Sequence, residues 1–249
     1  MWGPPRDAIP AAAQACARDG ADVLVRINRD LEDAVADIRA AVIPGVTGLV
    51  IPKVHSADHV ALLDEVITSV EEDQGLPAGH TSLMLLIETP AALRRVDHLA
   101  SGSPRVAAMS LGVHDLAAEL DVAPDSELLL HAHERLVLAA LASGIAPLGV
   151  VGAPPMSDLT AYAAAVERAR QLGYRGGTAV HPTQVPVLRD GFGPTREEVD
   201  LATRMVAAFE QAVREGRGSV RVDGRMVDEP VARRARRTLR APSAQRRHH

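Results

Sequence analysis

Residues 82–90 read SLMLLIETP and residues 105–116 read RVAAMSLGVHDL, and these two stretches decide the fold. Each begins with a short apolar run and then reaches an acid, Glu88 in the first stretch and Asp115 in the second. An apolar run of this length without alternation is typical of a strand buried on both faces of a parallel sheet. A helix-like segment separates the runs, so they predict consecutive strands with both carboxylates at the carboxyl edge. That edge is where (β/α) barrels and open α/β sheets place their chemistry.

The same strand–helix alternation extends along most of the chain. Four further strands are predicted by apolar runs at residues 21–28, 46–54, 145–152 and 176–182. Strict alternation of this kind predicts a parallel sheet with right-handed crossovers. A closed barrel needs eight strands, so the pattern by itself indicates either an open sheet or a barrel without two of its units.

The alternation stops near residue 190, and this change predicts the domain organisation. We assign residues 1–190 to the α/β body. Residues 191–240 are expected to form a C-terminal lid made of a long helix, a small hairpin and a basic helix. Residues 241–249 are expected to be a disordered tail.

Composition argues against several classes of protein. The formal net charge of −5 disfavours generic nucleic-acid binding. No apolar run approaches the roughly 18 residues that a membrane span needs, and the first residues do not have the pattern of a signal peptide. The single cysteine, Cys16, excludes an internal disulfide and fits a reducing compartment. We therefore expect a cytoplasmic protein that binds neither nucleic acid nor membrane.

Glu88 and Asp115 are the candidate metal ligands. Each could be a simple helix N-cap, which is a common role for an acid after a strand. Two acids at the ends of neighbouring strands favour a shared cation. Oxygen ligands without a His/Cys cluster favour Mg²⁺ over zinc, with Mn²⁺ as the alternative.

Two cations end predicted strands at the same edge. Arg26, in VRIN, is expected to be buried and must then meet an anion. That anion is either a neighbouring carboxylate such as Glu88 or a substrate carboxylate or enolate oxygen. Lys53, the only lysine in the chain, is expected to form a structural ion pair, with Schiff-base chemistry as the alternative.

Four other polar residues are weaker candidates. His181, in AVHP, is either a structural histidine with a fixed tautomer or a substrate contact. His114, beside Asp115, is expected at the rim of the site. Asp223 and Asp228, in VDGRMVD, lie outside the alternating body, where exposed acids usually form turns.

Together these motifs resemble the citrate lyase β-subunit-like branch of the HpcH/HpaI aldolase/citrate lyase superfamily. The matching segments, in order over residues 20–240, are VRIN (25–28), GLVIPKV (48–54), LIETP (86–90), LGVHDLAAEL (111–120), AVHPTQV (179–185), FGPTREEV (192–199) and DGRMVDEPV (223–231). The resemblance implies a (β/α)₈ TIM barrel that binds Mg²⁺ and makes or breaks a C–C bond beside a CoA thioester. Family members usually begin with two further strands, so about six of the eight strands are expected in this chain.

The resemblance also implies roles for individual residues. Glu88 and Asp115 match the metal ligands, and Arg26 matches the arginine that contacts the substrate and stabilises the enolate. Lys53 and His181 are candidates for further substrate contacts. Asp228 matches an acid that reaches into a neighbouring subunit's active site as general acid/base, which implies a homo-oligomer such as a trimer or hexamer.

The implied function is a Mg²⁺-dependent lyase. Its substrate would be a 3-hydroxyacyl-CoA such as malyl-CoA or citramalyl-CoA, with acetyl-CoA and a 2-oxo acid as products. A metal-dependent aldolase for free 2-oxo acids is the first alternative, and a truncated, non-catalytic paralogue is the second. The intact DGRMVD segment favours CoA over an acyl carrier protein as the thioester carrier.

Overall fold

The computed structural model describes residues 6–240 of the chain. The chain forms two compact units that divide between Val180 and His181. The first unit contains a parallel sheet with its helices, and the second contains helices with a two-stranded hairpin.

The first unit alternates strands and helices as predicted. Its strands are β1 (Leu24–Arg26), β2 (Gly48–Ile51), β3 (Ser82–Ile87), β4 (Val106–Leu111) and β5 (Ala146–Pro147). Its helices are α1 (Ile9–Cys16), α2 (Leu31–Ala41), α3 (Ala57–Asp73), α4 (Pro90–Arg94), α5 (Val96–Ala100), α6 (Val113–Leu120), α7 (Glu127–Ala142) and α8 (Leu159–Leu172). Short 3-10 turns at Arg6–Ala8 and Ala17–Asp19 flank α1.

The five strands pair in the order β1-β2-β3-β4-β5, and every pairing is parallel. Consecutive strands are neighbours because each crossover helix returns the chain beside the strand that it has just left. In β3 the side chains of Leu83, Leu85 and Ile87 are almost fully buried, and Met84 on the other face is 7% exposed. The predicted parallel α/β fold, with its central strands buried on both faces, is confirmed.

The first strand differs from its prediction. The apolar run at 21–28 predicts a buried strand, but β1 lies at the edge of the sheet and has β2 as its only strand neighbour within residues 6–240. Leu24 is 45% exposed, and Arg26 is exposed as well. The prediction that Arg26 is buried is therefore wrong, because a strand paired along one side only leaves much of its surface open.

The last two predicted strands are shorter than their apolar runs. The strand predicted at 176–182 is reduced to one parallel bridge between Gly176 and Leu148. The run at 145–152 forms the two residues of β5, and Gly149 and Gly152 then take positive φ values of 154° and 83°. Glycines in these conformations interrupt the ladder, so residues 6–240 contribute five paired strands and one bridging segment to the sheet.

A buried ion cluster ties the amino end of β4 to α3. Both oxygens of Glu71 accept hydrogen bonds from the Arg105 guanidinium, at 2.7 and 2.8 Å, and Asp64 pairs with the same group. Burial would raise the pKa of Glu71, but Arg105 and the backbone N–H groups of Thr81 and Gly79 lower it overall. This cluster lies at the edge opposite the carboxyl ends of the strands, so it supports the sheet from the end away from the candidate site.

The second unit has its own small core. Its elements are α9 (Gln184–Phe192), α10 (Arg196–Arg214), β6 (Val220–Val222), β7 (Arg225–Val227) and α11 (Glu229–Arg240). Phe209 and Val227 are among the buried residues of this core. Asp223 and Gly224 connect the two antiparallel strands with φ values of 49° and 78°, which is the two-residue hairpin geometry that Asp-Gly favours. The predicted hairpin and basic helix are confirmed.

No helix within residues 6–240 is both long enough and apolar enough to span a membrane. The tail predicted to be disordered, at 241–249, lies outside the described residues. The boundary predicted at residue 190, between the α/β body and a C-terminal lid, stays a prediction.

Candidate active site

Glu88 is the buried acid of the candidate site. It follows β3 directly and is only 6% exposed. Its Oε2 accepts a hydrogen bond of 2.7 Å from the backbone N–H of Lys53. Burial raises the pKa of Glu88 above its ordinary value, and the negative charge of Asp115 adds to this. The Lys53 N–H and the positive charges of Arg26 and Lys53 act in the opposite direction without cancelling it.

Gly112 creates the space that Glu88 occupies. It follows β4, and its N–H donates to the carbonyl of Ile87 at 2.9 Å, so the ends of β3 and β4 lie side by side. A β-carbon on Gly112 would overlap the Glu88 side chain and lie 3.0 Å from its Oε1. The glycine in LGVHD is therefore part of the site, a role that sequence reasoning missed.

Asp115 lies in the first turn of α6. Its Oδ1 pairs with the Nζ of Lys53 at 3.1 Å, and both side chains are 46% exposed. The predicted ion pair of Lys53 is confirmed. Asp115 raises the pKa of the lysine, so the amine is held protonated, which disfavours the Schiff-base alternative because only the neutral amine is a nucleophile.

Arg26 ends β1 and lies two strands away from Glu88. It is in register with Val50 of the neighbouring strand, and its charge contributes to lowering the pKa of Glu88. Within residues 6–240 Arg26 forms no ion pair, so its guanidinium donors are available to an external anion.

The chain just beyond Arg26 is held by Asp37 of α2, which sequence reasoning also missed. Asp37 is 8% exposed, and its Oδ2 accepts from both the backbone N–H and the side-chain amide of Asn28, each at 2.7 Å. Arg6 Nε donates to its other oxygen at 2.7 Å. Burial opposes ionisation, but these donors lower the pKa of Asp37 overall. The sequence signal that could have identified Asp37 is its position as an acid among the buried apolar residues of α2.

The donor set at this edge fits a magnesium ion. Two carboxylates, Glu88 and Asp115, come from adjacent strand–helix connections, and no group of three or more His, Cys, Asp or Glu residues within residues 6–240 is placed to hold a metal. Mg²⁺ keeps several of its waters and is commonly bound by one or two carboxylates, whereas structural zinc needs a fuller protein set. His114 is exposed, in agreement with its expected place at the rim.

The remaining predicted site residues lie in the second unit. His181 is exposed, and its Nδ1 accepts the N–H of Thr183 at 3.3 Å and lies 2.8 Å from the Thr183 hydroxyl oxygen. Asp228 accepts the N–H of Val231 at 3.2 Å and so caps the start of α11. Asp223 forms the hairpin turn, as expected of an exposed acid, and pairs with Arg204 at 2.9 Å.

Of the predicted site residues, the structure brings together Glu88, Asp115, Lys53 and Arg26. The active-site roles of His181 and Asp228 stay predictions.

Comparison with known proteins gives a family-level match. The model of the HpcH/HpaI aldolase/citrate lyase family matches residues 5–182. Citrate lyase subunit beta of Escherichia coli K12 is 34% identical over 224 residues, which is 88% of this chain and 73% of that protein. L-malyl-CoA/beta-methylmalyl-CoA lyase of Rhodobacter capsulatus is 33% identical over 207 residues, which is 75% of this chain and 64% of that protein.

A solved structure has the same fold. The protein CitE from Mycobacterium tuberculosis, in complex with magnesium, acetoacetate and coenzyme A, is 27% identical, with a TM-score of 0.68. The similarity covers 93% of this chain and 83% of that one.

Proposed function

Because the chain belongs to the HpcH/HpaI aldolase/citrate lyase family, we propose that it is a Mg²⁺-dependent lyase acting on a 3-hydroxyacyl-CoA. The expected enzyme class, a carbon–carbon lyase, is confirmed by the relatives. The finer proposal is a substrate of the malyl-CoA or citramalyl-CoA type. The observation that carries it is the pair of carboxylates at the carboxyl edge, one buried and one half-exposed. Arg26, which has no ion-pair partner within residues 6–240, acts on the buried one through its charge.

Glu88 and Asp115 are proposed to hold the metal ion. When bound there, Mg²⁺ supplies positive charge that stabilises negative charge developing on a substrate oxygen. Burial of Glu88 keeps this charge interaction strong, because the effective dielectric is lower than in water. The backbone N–H of Lys53 and the space beside Gly112 set the orientation of the Glu88 carboxylate before substrate arrives.

Arg26 is proposed to bind the anionic end of the substrate. Its guanidinium has no ion-pair partner within residues 6–240 and lies near enough to Glu88 to influence the carboxyl group's pKa. A guanidinium presents paired donors that match a carboxylate or an enolate oxygen. Lys53 and His181 are proposed as further substrate contacts.

The proposed reaction is a retro-aldol-type cleavage of a 3-hydroxyacyl thioester. The 3-hydroxyl group gives its proton to solvent, the C2–C3 bond breaks, and C3 becomes the carbonyl carbon of the 2-oxo acid. The electron pair forms the thioester enolate, which Arg26 stabilises. Asp228 from a neighbouring subunit protonates C2 to give acetyl-CoA. This role requires a homo-oligomer, for which we propose a trimer or hexamer.

The test is product release by the full chain in the presence of Mg²⁺. Malyl-CoA should give glyoxylate and citramalyl-CoA should give pyruvate, each with acetyl-CoA. Glu88→Ala should lower the rate by about 10²-fold or more, the size typical of losing an electrostatic catalyst. Glu65→Ala, which removes an exposed acid on α3, is the matched control and should keep the wild-type rate.

Other outcomes would redirect the assignment. An unchanged rate in Glu88→Ala contradicts the metal site. Cleavage of free 4-hydroxy-2-oxo acids without turnover of any CoA ester would favour the aldolase. Absence of turnover with both classes of substrate would favour the non-catalytic paralogue.

A further inference from the structure

Lys53 contacts both candidate metal ligands through two different chemical groups. Its backbone N–H donates to Glu88 Oε2 at 2.7 Å, and its side-chain Nζ pairs with Asp115 Oδ1 at 3.1 Å. One residue of the β2–α3 connection therefore links the acid that follows β3 to the acid in α6.

The backbone of Lys53 has a conformation that lysine rarely adopts. Its φ is +43°, and the other non-glycine residues with positive φ within residues 6–240 are Asp121 and Asp223. Those two are short polar residues at a helix C-cap and a hairpin turn, where the left-handed conformation is common. Lys53 also lies in a turn, directly after Pro52, but lysine lacks the short polar side chain that makes this conformation accessible to aspartate. In this conformation its N–H donates to Glu88 Oε2, and strained backbone of this kind often occurs at functional sites.

The side chain of Lys53 occupies the place of a cation beside Asp115. Both partners are 46% exposed, and an ion pair that is open to water contributes little free energy. A divalent ion carries twice the charge of the ammonium and can take over the same carboxylate oxygen. The backbone contact to Glu88 does not depend on where the ammonium lies.

We propose that Lys53 is the positioning residue of the metal site. Its N–H orients Glu88 in both the free and the metal-bound protein, whereas its ammonium neutralises Asp115 only until a divalent cation displaces it. The displaced ammonium stays on its stem at the same edge, where an anionic substrate is expected. The inference rests on the proposed metal site but not on the identity of the thioester.

Nuclear magnetic resonance on the full chain gives a direct test, because Lys53 is the only lysine. Protein labelled with ¹³C at lysine Cε gives one lysine signal, which is followed during titration with MgCl₂ at fixed pH. The signal should shift and saturate at the Mg²⁺ concentration at which calorimetry shows the site to fill.

A pair of variants tests the competition. Lys53→Met keeps the backbone N–H and removes the ammonium, so Mg²⁺ should bind about two- to fivefold tighter, the size expected from releasing an exposed ion pair. Arg94→Met removes the same charge from an exposed position on α4 and should change affinity much less.

The outcomes separate the two proposals. Failure of the wild-type chain to bind Mg²⁺ contradicts the proposed function and this inference together. Binding with an unchanged Lys53 signal contradicts the inference alone. So does a Lys53→Met variant that binds Mg²⁺ no tighter than Arg94→Met.

Discussion

The Glu88 side chain fills the space that a β-carbon on Gly112 would need. The two residues follow neighbouring strands, and the Gly112 N–H donates to Ile87 just before the acid. Glu88 can be buried against the backbone of the next connection only because residue 112 has no side chain. The burial that this contact permits raises the pKa of Glu88, and the negative charge of Asp115 raises it further.

Gly112→Ala should weaken metal binding at the candidate site. The added methyl group overlaps Glu88, so the carboxylate must leave its position against the Lys53 N–H. We expect Mg²⁺ affinity to fall at least about tenfold and stability to fall by about 1–3 kcal/mol, the usual cost of overpacking. Calorimetry and urea unfolding measure the two effects.

Gly218→Ala is the control for the glycine substitution, because a β-carbon there meets nothing within 4 Å. It should leave both quantities unchanged. If Gly112→Ala bound Mg²⁺ as tightly as the wild type, the Glu88 carboxylate in its present position could not be a ligand of the ion.

Glu88→Gln should have opposite effects on stability without and with metal. The folded pKa of Glu88 lies above its ordinary value of 4.5. The ionised form therefore destabilises the fold at pH values above about 4.5, and this cost persists at neutral pH. The neutral amide removes this cost, so the metal-free variant should have a higher melting temperature than the metal-free wild type.

Magnesium should reverse this order. Saturating MgCl₂ should raise the melting temperature of the wild-type protein and leave that of Glu88→Gln unchanged. Differential scanning fluorimetry at neutral pH measures all four combinations. A variant that MgCl₂ stabilises as much as the wild type is the result that would rule out Glu88 as a ligand.

Acid should weaken the fold through His133. Its side chain is 2% exposed and meets the Tyr174 hydroxyl at 2.6 Å through Nδ1, and burial lowers its pKa to about 4. Between pH 6.5 and 4 the unfolded chain binds a proton that the folded chain refuses. Stability contributed by this group is therefore lost as pH falls through that window, by up to about 3 kcal/mol.

His133→Gln should flatten the dependence of unfolding free energy on pH between 6.5 and 4. His131→Gln, on the same helix but 73% exposed at its side chain, should keep the wild-type slope. Urea unfolding at several pH values provides the comparison. Equal slopes in the two variants would be incompatible with a buried neutral His133.

Arg105→Met should destabilise the first unit strongly. The substitution leaves Glu71, whose side chain is 1% exposed, and Asp64 without their cation. Removing one partner of a buried pair costs about 3–5 kcal/mol. Arg135→Met, which breaks the exposed pair with Asp97, should cost less than about 1 kcal/mol. Similar unfolding free energies for both variants would show that the buried cluster does not support the sheet.

The central strands were the most predictable part of the fold. The runs at 82–88 and 105–112 become Ser82–Ile87 and Val106–Leu111, because burial on both faces needs a continuous apolar run that is visible locally. The edge strand was not predictable in the same way. Its apolar run at 21–28 resembles the others, but only the pairing order shows that Leu24–Arg26 has a single neighbour.

In the candidate site too, the residues marked by a local sequence pattern were predicted, and those defined by non-local contacts were not. Glu88 and Asp115 were predicted because each follows an apolar run within a few residues, and parallel strands end at one edge. Gly112 and Asp37 were missed because their roles depend on side chains that pack against them from other elements.

The sequence by itself determined the order of strands and helices and the two acids at one edge, since periodicity and strand ends are local properties of the chain. Only the tertiary structure decided which groups meet those acids. Lys53 reaches Glu88 across 35 positions of sequence, and Gly112 clears the space for it from the next strand. Such contacts are set by strand register and by the left-handed turn at Lys53, and neither leaves a periodic signal in the sequence.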